Sequence, residues 1–208
     1  MKLAIKIRKL QRELQDTLFR IHPSWGLEQR AEQLVTLFEN DLPAASSILD
    51  VGGGWGFYVE PLRRRGHRVI VCDVVKPGFQ KAPIVFSENG RLPFPDKSFD
   101  VTLLVTVLHH VENLEPLLDE VRRVTRHVLI VVEDLYRHSL GRGWTILRDM
   151  LYNFEFFGHP CRFKKKEDWV RFFCQLGFSP LKEKDVYTWL AGMRILNGLF
   201  VLQVEARR

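Results

Sequence analysis

The 208-residue chain is poor in cysteine and in long apolar runs, and each shortage removes a class of protein. Its three cysteines, Cys72, Cys161 and Cys174, are scattered and odd in number, with no CxxC pair. That usage excludes a disulfide scaffold and a zinc framework, and is expected of a reduced, cytoplasmic protein. Cys72 lies inside an apolar run and reads as a small core residue. No run approaches the roughly 20 apolar residues that a membrane-spanning helix needs. Charges are spread among the apolar residues of the N-terminus, which is not the plan of a signal peptide. Histidines and acids do not recur at ligand spacing, so no metal site is expected. Internal repeats and low-complexity segments are absent as well.

What is there is ordinary globular material, with 46% hydrophobic and 27% charged residues. Residues 1–208 read as a single domain with a sizeable core. The net charge of +6 permits an anionic partner without arguing for one. The basic clusters, Lys2 to Arg12, Arg63-Arg64-Arg65 and Lys164-Lys165-Lys166, read as solvated helix faces and ends. No appended nucleic-acid module is visible.

The periodicity alternates along the chain. Leu3, Ile7, Leu10, Leu14, Leu18 and Ile21 recur every three or four residues, which predicts an amphipathic helix over 1–22, stopped by Pro23. A second helix is expected at about 27–40. Apolar strands follow at 48–51, 68–73, 84–86, 99–107 and 127–133, separated by helices at 57–65 and 113–126. After an aromatic-rich segment at 135–164 come a helix at about 166–176 and two strands, 185–190 and 199–205, joined through Gly192 to Gly198. This order predicts an α/β fold with a Rossmann-like, doubly wound, seven-stranded sheet. The sheet is expected to be mostly parallel, with an antiparallel C-terminal hairpin strand and helices on both faces.

The densest chemical signal is Ile48-Leu-Asp-Val-Gly-Gly-Gly-Trp-Gly-Phe-Tyr58. An apolar strand ends near Asp50 and opens into a turn with glycine at 52, 54 and 56. Glycine there adopts positive φ and lets a ligand approach backbone amides beside a helix N-terminus. A tight strand-to-helix turn with no ligand would carry the same residues. A nicotinamide dinucleotide site would show G-x-G-x-x-G and a P-loop Gly-Lys-Ser/Thr; neither is present. Asp73 ends the second strand about 20 residues on, where an acid can bind ribose hydroxyls.

Asp50-x-Gly52-x-Gly54-x-Gly56, Asp73, Ser87-Glu88-Asn89-Gly90, Leu92-Pro-Phe94 with Ser98-Phe-Asp100, and Thr106-Val-Leu-His-His-Val111 together resemble the class I S-adenosylmethionine-dependent methyltransferase family. The likeness is close over about 30–135 and is strongest to the branch with small-molecule, quinone and lipid enzymes. It implies S-adenosylmethionine as cofactor. Asp50, Gly52, Gly53, Gly54, Trp55 and Gly56 would then surround its amino-acid end. Asp73 and Val74 would meet the ribose, and Glu88 and Asn89 the adenine. Thr106 and Val107 would lie beside the sulfonium. Gly53 stands where many relatives have Cys or Ala, and Trp55 where the residue is usually small.

Methyl transfer from a sulfonium is an in-line displacement that needs a base only when the nucleophile arrives protonated. His109 and His110 are the candidates; the alternative is that they shape the loop without taking a proton. The expected acceptor is a small, apolar molecule methylated at O or C. The alternatives are a non-catalytic SAM-binding or partner-binding protein, and an RNA or protein methyltransferase. The Asn/Asp-Pro-Pro-aromatic sequence that goes with exocyclic base amines is missing at 106–109. Tyr136, His138, Trp144, Tyr152, Phe154, Phe156, Phe157 and His159, with Glu133-Asp134, are candidates for the wall of a substrate cap at 135–164. The N-terminal helices, 1–42, are read as a lid over the site or, for the first helix, as a peripheral contact with an anionic membrane. A monomer or a homodimer is expected.

Overall fold

The computed structural model describes residues 13, 14, 17, 26–74, 84–86, 91–153 and 161–204, with side chains except at 84–86, 152 and 153. The predicted helix over 1–22 therefore lies largely outside the described residues, although 13, 14 and 17 are helical. The first complete helix, α1, is Leu27–Phe38, followed by a 3₁₀ turn at Glu39–Asp41. Then come β1 (Ser47–Val51), α2 (Val59–Arg64), β2 (Arg68–Asp73), β3 (Ile84–Phe86), β4 (Phe99–Val105), a 3₁₀ turn at Leu108–His110, α3 (Leu114–Val124) and β5 (Thr125–Asp134). The chain continues through α4 (Ser139–Asn153), α5 (Lys166–Gln175), β6 (Ser179–Leu190) and β7 (Met193–Gln203).

These strands form one seven-stranded sheet in the order β3-β2-β1-β4-β5-β7-β6. β1 to β5 are parallel, while β7 runs antiparallel to both β5 and β6. The order reverses between β1 and β4. At such a switch point the loops after the two strands diverge to opposite faces and leave a crevice at their carboxyl ends. The glycine turn follows β1 and the Thr106–His110 loop follows β4, so the topology brings the two candidate segments together.

Alternation along the strands divides the core between the two faces. Leu49, Leu104, Leu129, Val131 and Phe200 pack with α3 and α5 through Leu118, Val121, Trp169 and Phe173. Ile48, Val101, Leu103 and Ile130 pack with α1 and α2 through Leu34, Val35, Phe38 and Leu62. Burial of a large apolar side chain contributes about 1.5–3 kcal/mol. Leu34, Phe38, Trp169 and Phe173, all fully buried, fasten their helices to the sheet.

The C-terminal hairpin differs from the sequence expectation. The connection is the two-residue turn Ala191-Gly192, not a loop reaching to Gly198. Both residues have positive φ, 46° and 78°, which matches the right-handed twist of the flanking strands. Gly198 lies inside β7, paired with Glu133 and Asp185. A Cβ at Gly198 would stand 2.7 Å from the Phe200 ring, so glycine is there for packing. Helix α2 is also shorter than the predicted 57–65, because residues 54–58 are taken up by the turn.

Candidate active site

The glycines of the turn serve different needs. Gly52, Gly54 and Gly56 all have positive φ, at 71°, 52° and 79°. The turn is tied down by Gly52 N–H donating to the Cys72 carbonyl at 2.7 Å and Gly56 N–H to the Gly53 carbonyl at 2.8 Å. A Cβ on Gly52 would lie 2.7 Å from a methyl of Val107, so the turn after β1 presses directly on the loop after β4. Among the described residues a Cβ on Gly54 would meet nothing within 4 Å. Gly54 therefore lines open space, the kind of approach a ligand uses. At Gly53 a Cβ would fall 2.2 Å from Asp50 Oδ2.

Asp50 accordingly lies under the turn, 1% exposed, with neither carboxylate oxygen hydrogen-bonded. Burial, reinforced by the charge of Asp73, pushes its carboxyl up to about 7. Asp73 is half-buried at the end of β2, and Gly54 N–H donates to its Oδ2 at 2.9 Å. Val74, just beyond, is exposed. Trp55 is half-buried, its ring 6.3 Å from that of Phe57. Glu88 and Asn89 lie outside the described residues.

The loop after β4 begins with Thr106 at φ +54°, a left-handed conformation rare for a β-branched residue. It is held there by its own N–H, which donates to the Val132 carbonyl at 2.7 Å. Backbone strain of this kind collects at functional sites. Glu133, fully buried at the end of β5, fixes the next three residues. Its Oε1 accepts from the N–H groups of Val107 at 2.9 Å and Leu108 at 2.7 Å, and its Oε2 meets His109 Nδ1 at 2.6 Å.

The two histidines are not equivalent. His109 is buried, stacked on Phe163 at 4.4 Å, with Nε2 3.4 Å from Asp149 Oδ1. Burial alone would lower its pKa, but Glu133 and Asp149 outweigh that and hold it up at about 10. A ring already protonated at neutral pH cannot accept a proton. His110 is only half-buried, with its ring 4.2 Å from that of His109. Although these residues do not recur at ligand spacing in the sequence, the fold brings ligand atoms of His109, His110 and Asp149 within 4.8 Å of one another. Asp149 comes from α4, so no local spacing reveals it.

Asp134, the neighbour of Glu133, points to the other face and belongs to a buried polar network. Its Oδ1 accepts from Arg30 Nη2 at 2.9 Å and from Asn197, and its Oδ2 accepts from Arg148. Arg30 also donates to Thr188, which in turn bonds Asn197. The network ties α1 and α4 to β5, β6 and β7, so Asp134 is a structural joint. Arg30, Arg148 and Asp149 belong to no sequence motif, and α4 conceals the latter two. Its Thr145, Arg148 and Asp149 face inward while Leu140, Trp144, Leu147 and Leu151 are exposed, the reverse of a core helix.

Other cap candidates are dispersed. Tyr136 is half-buried, and Trp144 is 55% exposed on the outer face of α4. His138 is exposed, with Nδ1 accepting from Gly141 N–H at 3.1 Å at the start of its own helix. Phe154, Phe156, Phe157 and His159 lie outside the described residues, as does the side chain of Tyr152. Among the described residues no helix is long and apolar enough to cross a membrane.

Residues 49–130, which run from the glycine turn to the middle of β5, match the family model of a methyltransferase domain. A demethylmenaquinone methyltransferase of Tropheryma whipplei is 35% identical over 92 residues, covering 40% of this chain and 38% of that protein. A ubiquinone biosynthesis O-methyltransferase of Rickettsia felis is 32% identical over 108 residues, covering 47% and 43%. The chain thus spans about two fifths of the length of these curated relatives. In fold it is similar to a SAM-dependent methyltransferase of Aquifex aeolicus, with TM-score 0.60, 18% identity, and 97% and 98% of the two chains covered. It is likewise similar to the magnesium protoporphyrin IX methyltransferase of Synechocystis with bound SAH, with TM-score 0.58, 17% identity, and 86% and 83% covered. This chain shares the sheet architecture of these structures, with the glycine turn and the Thr106–His110 loop on either side of its switch point.

Proposed function

We propose that this chain is a cytoplasmic enzyme that transfers a methyl group from S-adenosylmethionine to an oxygen or carbon of a small, apolar acceptor of the quinol type. The observation that carries this is the open space at Gly54, bordered by the Asp73 carboxylate at the switch-point crevice. That cradle fits the cofactor's adenosine and amino-acid ends: Asp73 would hold the ribose hydroxyls, and the Gly52–Gly56 turn would receive the amino-acid end. The quinone methyltransferases among the relatives support the acceptor class.

When bound, the cofactor supplies an electrophilic methyl on a good leaving group. The protein's task is then to position the acceptor, and well-oriented reactants gain about 7–11 kcal/mol over free ones. Thr106 and Val107, pinned by the Val132 carbonyl and Glu133, form a rigid floor at the carboxyl end of β4. His109 is committed to Glu133 and Asp149, which leaves His110 to receive the proton of a hydroxyl acceptor. Incubation with methyl-labelled S-adenosylmethionine and a panel of hydroquinones and phenols tests the reading. It predicts a labelled product whose yield falls at least tenfold in His110→Ala. Absence of any labelled product across the panel, in a chain that still binds S-adenosylhomocysteine, would reject the acceptor class.

A further inference from the structure

The cluster around His109 is built like a metal-binding site. His109 and His110 are consecutive on a 3₁₀ turn, so their rings leave the backbone close together, 4.2 Å between centroids. The third member, Asp149, arrives from α4 on the opposite side, and His109 Nε2 and Asp149 Oδ1 stand 3.4 Å apart. Two ligand atoms bound tetrahedrally at about 2.0–2.2 Å from one ion are themselves roughly 3.3–3.6 Å apart. The three ligand atoms already lie within 4.8 Å of one another, so small side-chain rotations would close the set.

The surroundings match what a metal-bound histidine needs. A ligating imidazole usually gives its other ring N–H to a carboxylate, which fixes the tautomer and the ring plane. Glu133 does this at His109 Nδ1, at 2.6 Å, and is itself immobilised by the amides of Val107 and Leu108. Phe163 stacks on the same ring at 4.4 Å and removes its remaining rotational freedom. An Nδ1 held in this way leaves Nε2 as the ligand once the ion displaces its proton to solvent, and Nε2 is the atom that faces Asp149. Two imidazoles and a carboxylate suit a borderline first-row transition metal; magnesium and calcium prefer all-oxygen sets.

We propose that His109, His110 and Asp149 bind one divalent transition-metal ion, with Glu133 orienting His109. Three protein ligands are the number found at catalytic sites, where a position is left for an exogenous oxygen. Coordination would engage the His110 nitrogen that the methyl-transfer reading uses as a base, and the ion would then acidify the acceptor hydroxyl in its place; that role rests on that reading, whereas metal uptake does not.

The test is zinc binding by the full chain, dialysed against chelator and then titrated with Zn²⁺, with bound metal counted by elemental analysis. Bound Co²⁺, followed by visible absorption, reports ligand geometry independently. One ion per chain is expected, with affinity reduced at least 100-fold in His110→Ala and in Asp149→Asn. Far-ultraviolet circular dichroism and S-adenosylhomocysteine titration on the same samples identify any variant that has lost its fold, and such a variant is replaced by His110→Gln or Asp149→Ala. No stoichiometric uptake of Zn²⁺ or Co²⁺ by the wild-type chain overturns the proposal. So does uptake that folded variants at positions 110 and 149 leave unchanged. A chain that binds S-adenosylhomocysteine but no metal refutes the metal site alone.

Discussion

Glu133 meets His109 through Oε2 and Nδ1 at 2.6 Å, and neither side chain is exposed to solvent. With its other oxygen the same carboxylate accepts two backbone amides, so one side chain serves three groups of the loop. Removing a partner from such a buried charged pair costs about 3–5 kcal/mol. Glu133→Ala should lose about that much in urea unfolding. Glu133→Gln keeps an acceptor for the Val107 and Leu108 amides and should lose clearly less. Equal losses would mean that the amide contacts do not contribute.

The glycines of the turn should separate fold from ligand binding. Gly52→Ala combines a positive φ with a collision against Val107 and should cost at least 2 kcal/mol. Val107→Ala in the same chain should recover part of that loss, as coupling between touching residues requires. Gly54→Ala has open space around it and should cost only the left-handed penalty, about 1–2 kcal/mol. Its effect on S-adenosylhomocysteine affinity should nonetheless be the larger of the two effects, and calorimetry beside urea unfolding would check this.

The buried Asp50 carboxyl gives stability a pH dependence of defined sign. Its folded value, raised from 3.8 to about 7 by burial and by Asp73, favours the protonated form in the native state. That contribution is complete below about pH 4 and is lost as pH rises through about 7, at a slope of about 1.4 kcal/mol per pH unit between the two values. Asp50→Asn stays neutral and should abolish this slope. Its stability relative to wild type should therefore increase from pH 4 to pH 7. Parallel stability curves for the two chains would show that Asp50 does not titrate in this window.

Asp134 carries the second buried network. Asp134→Ala leaves Arg30 and Arg148 buried beside Asn197 without their shared acceptor, and should cost about 3–5 kcal/mol. Tyr58 borders the same charges; burial, with the carboxylates of Asp50 and Asp134, pushes its phenol up.

The parallel half of the framework is readable because β1 to β5 each carry a near-continuous apolar run. That sufficed for β1 to β5, for the glycine turn and for the position of Asp73. The hairpin was misread at Gly198 because a glycine that makes room for Phe200 looks, in sequence, like a turn glycine. The chemistry at His109 was only half visible. The His109-His110 pair is local and could be named, whereas Glu133, Phe163 and Asp149 reach it from three other segments through the fold alone. Helix α4 concealed Asp149 further, because its polar face is inside and its apolar stripe outside.

The most direct test of the account is isothermal titration of the full chain with S-adenosylhomocysteine, comparing wild type, Asp73→Asn and Asp73→Ala. The wild-type chain should bind with one site. Asp73→Asn retains an acceptor for the Gly54 amide but loses the charge toward the ribose, and should weaken binding about tenfold or more. Asp73→Ala should weaken it further, since the turn is also released. No binding to the wild-type chain at millimolar ligand, or an affinity unchanged in both variants, would contradict the assignment of this crevice to the methyl donor.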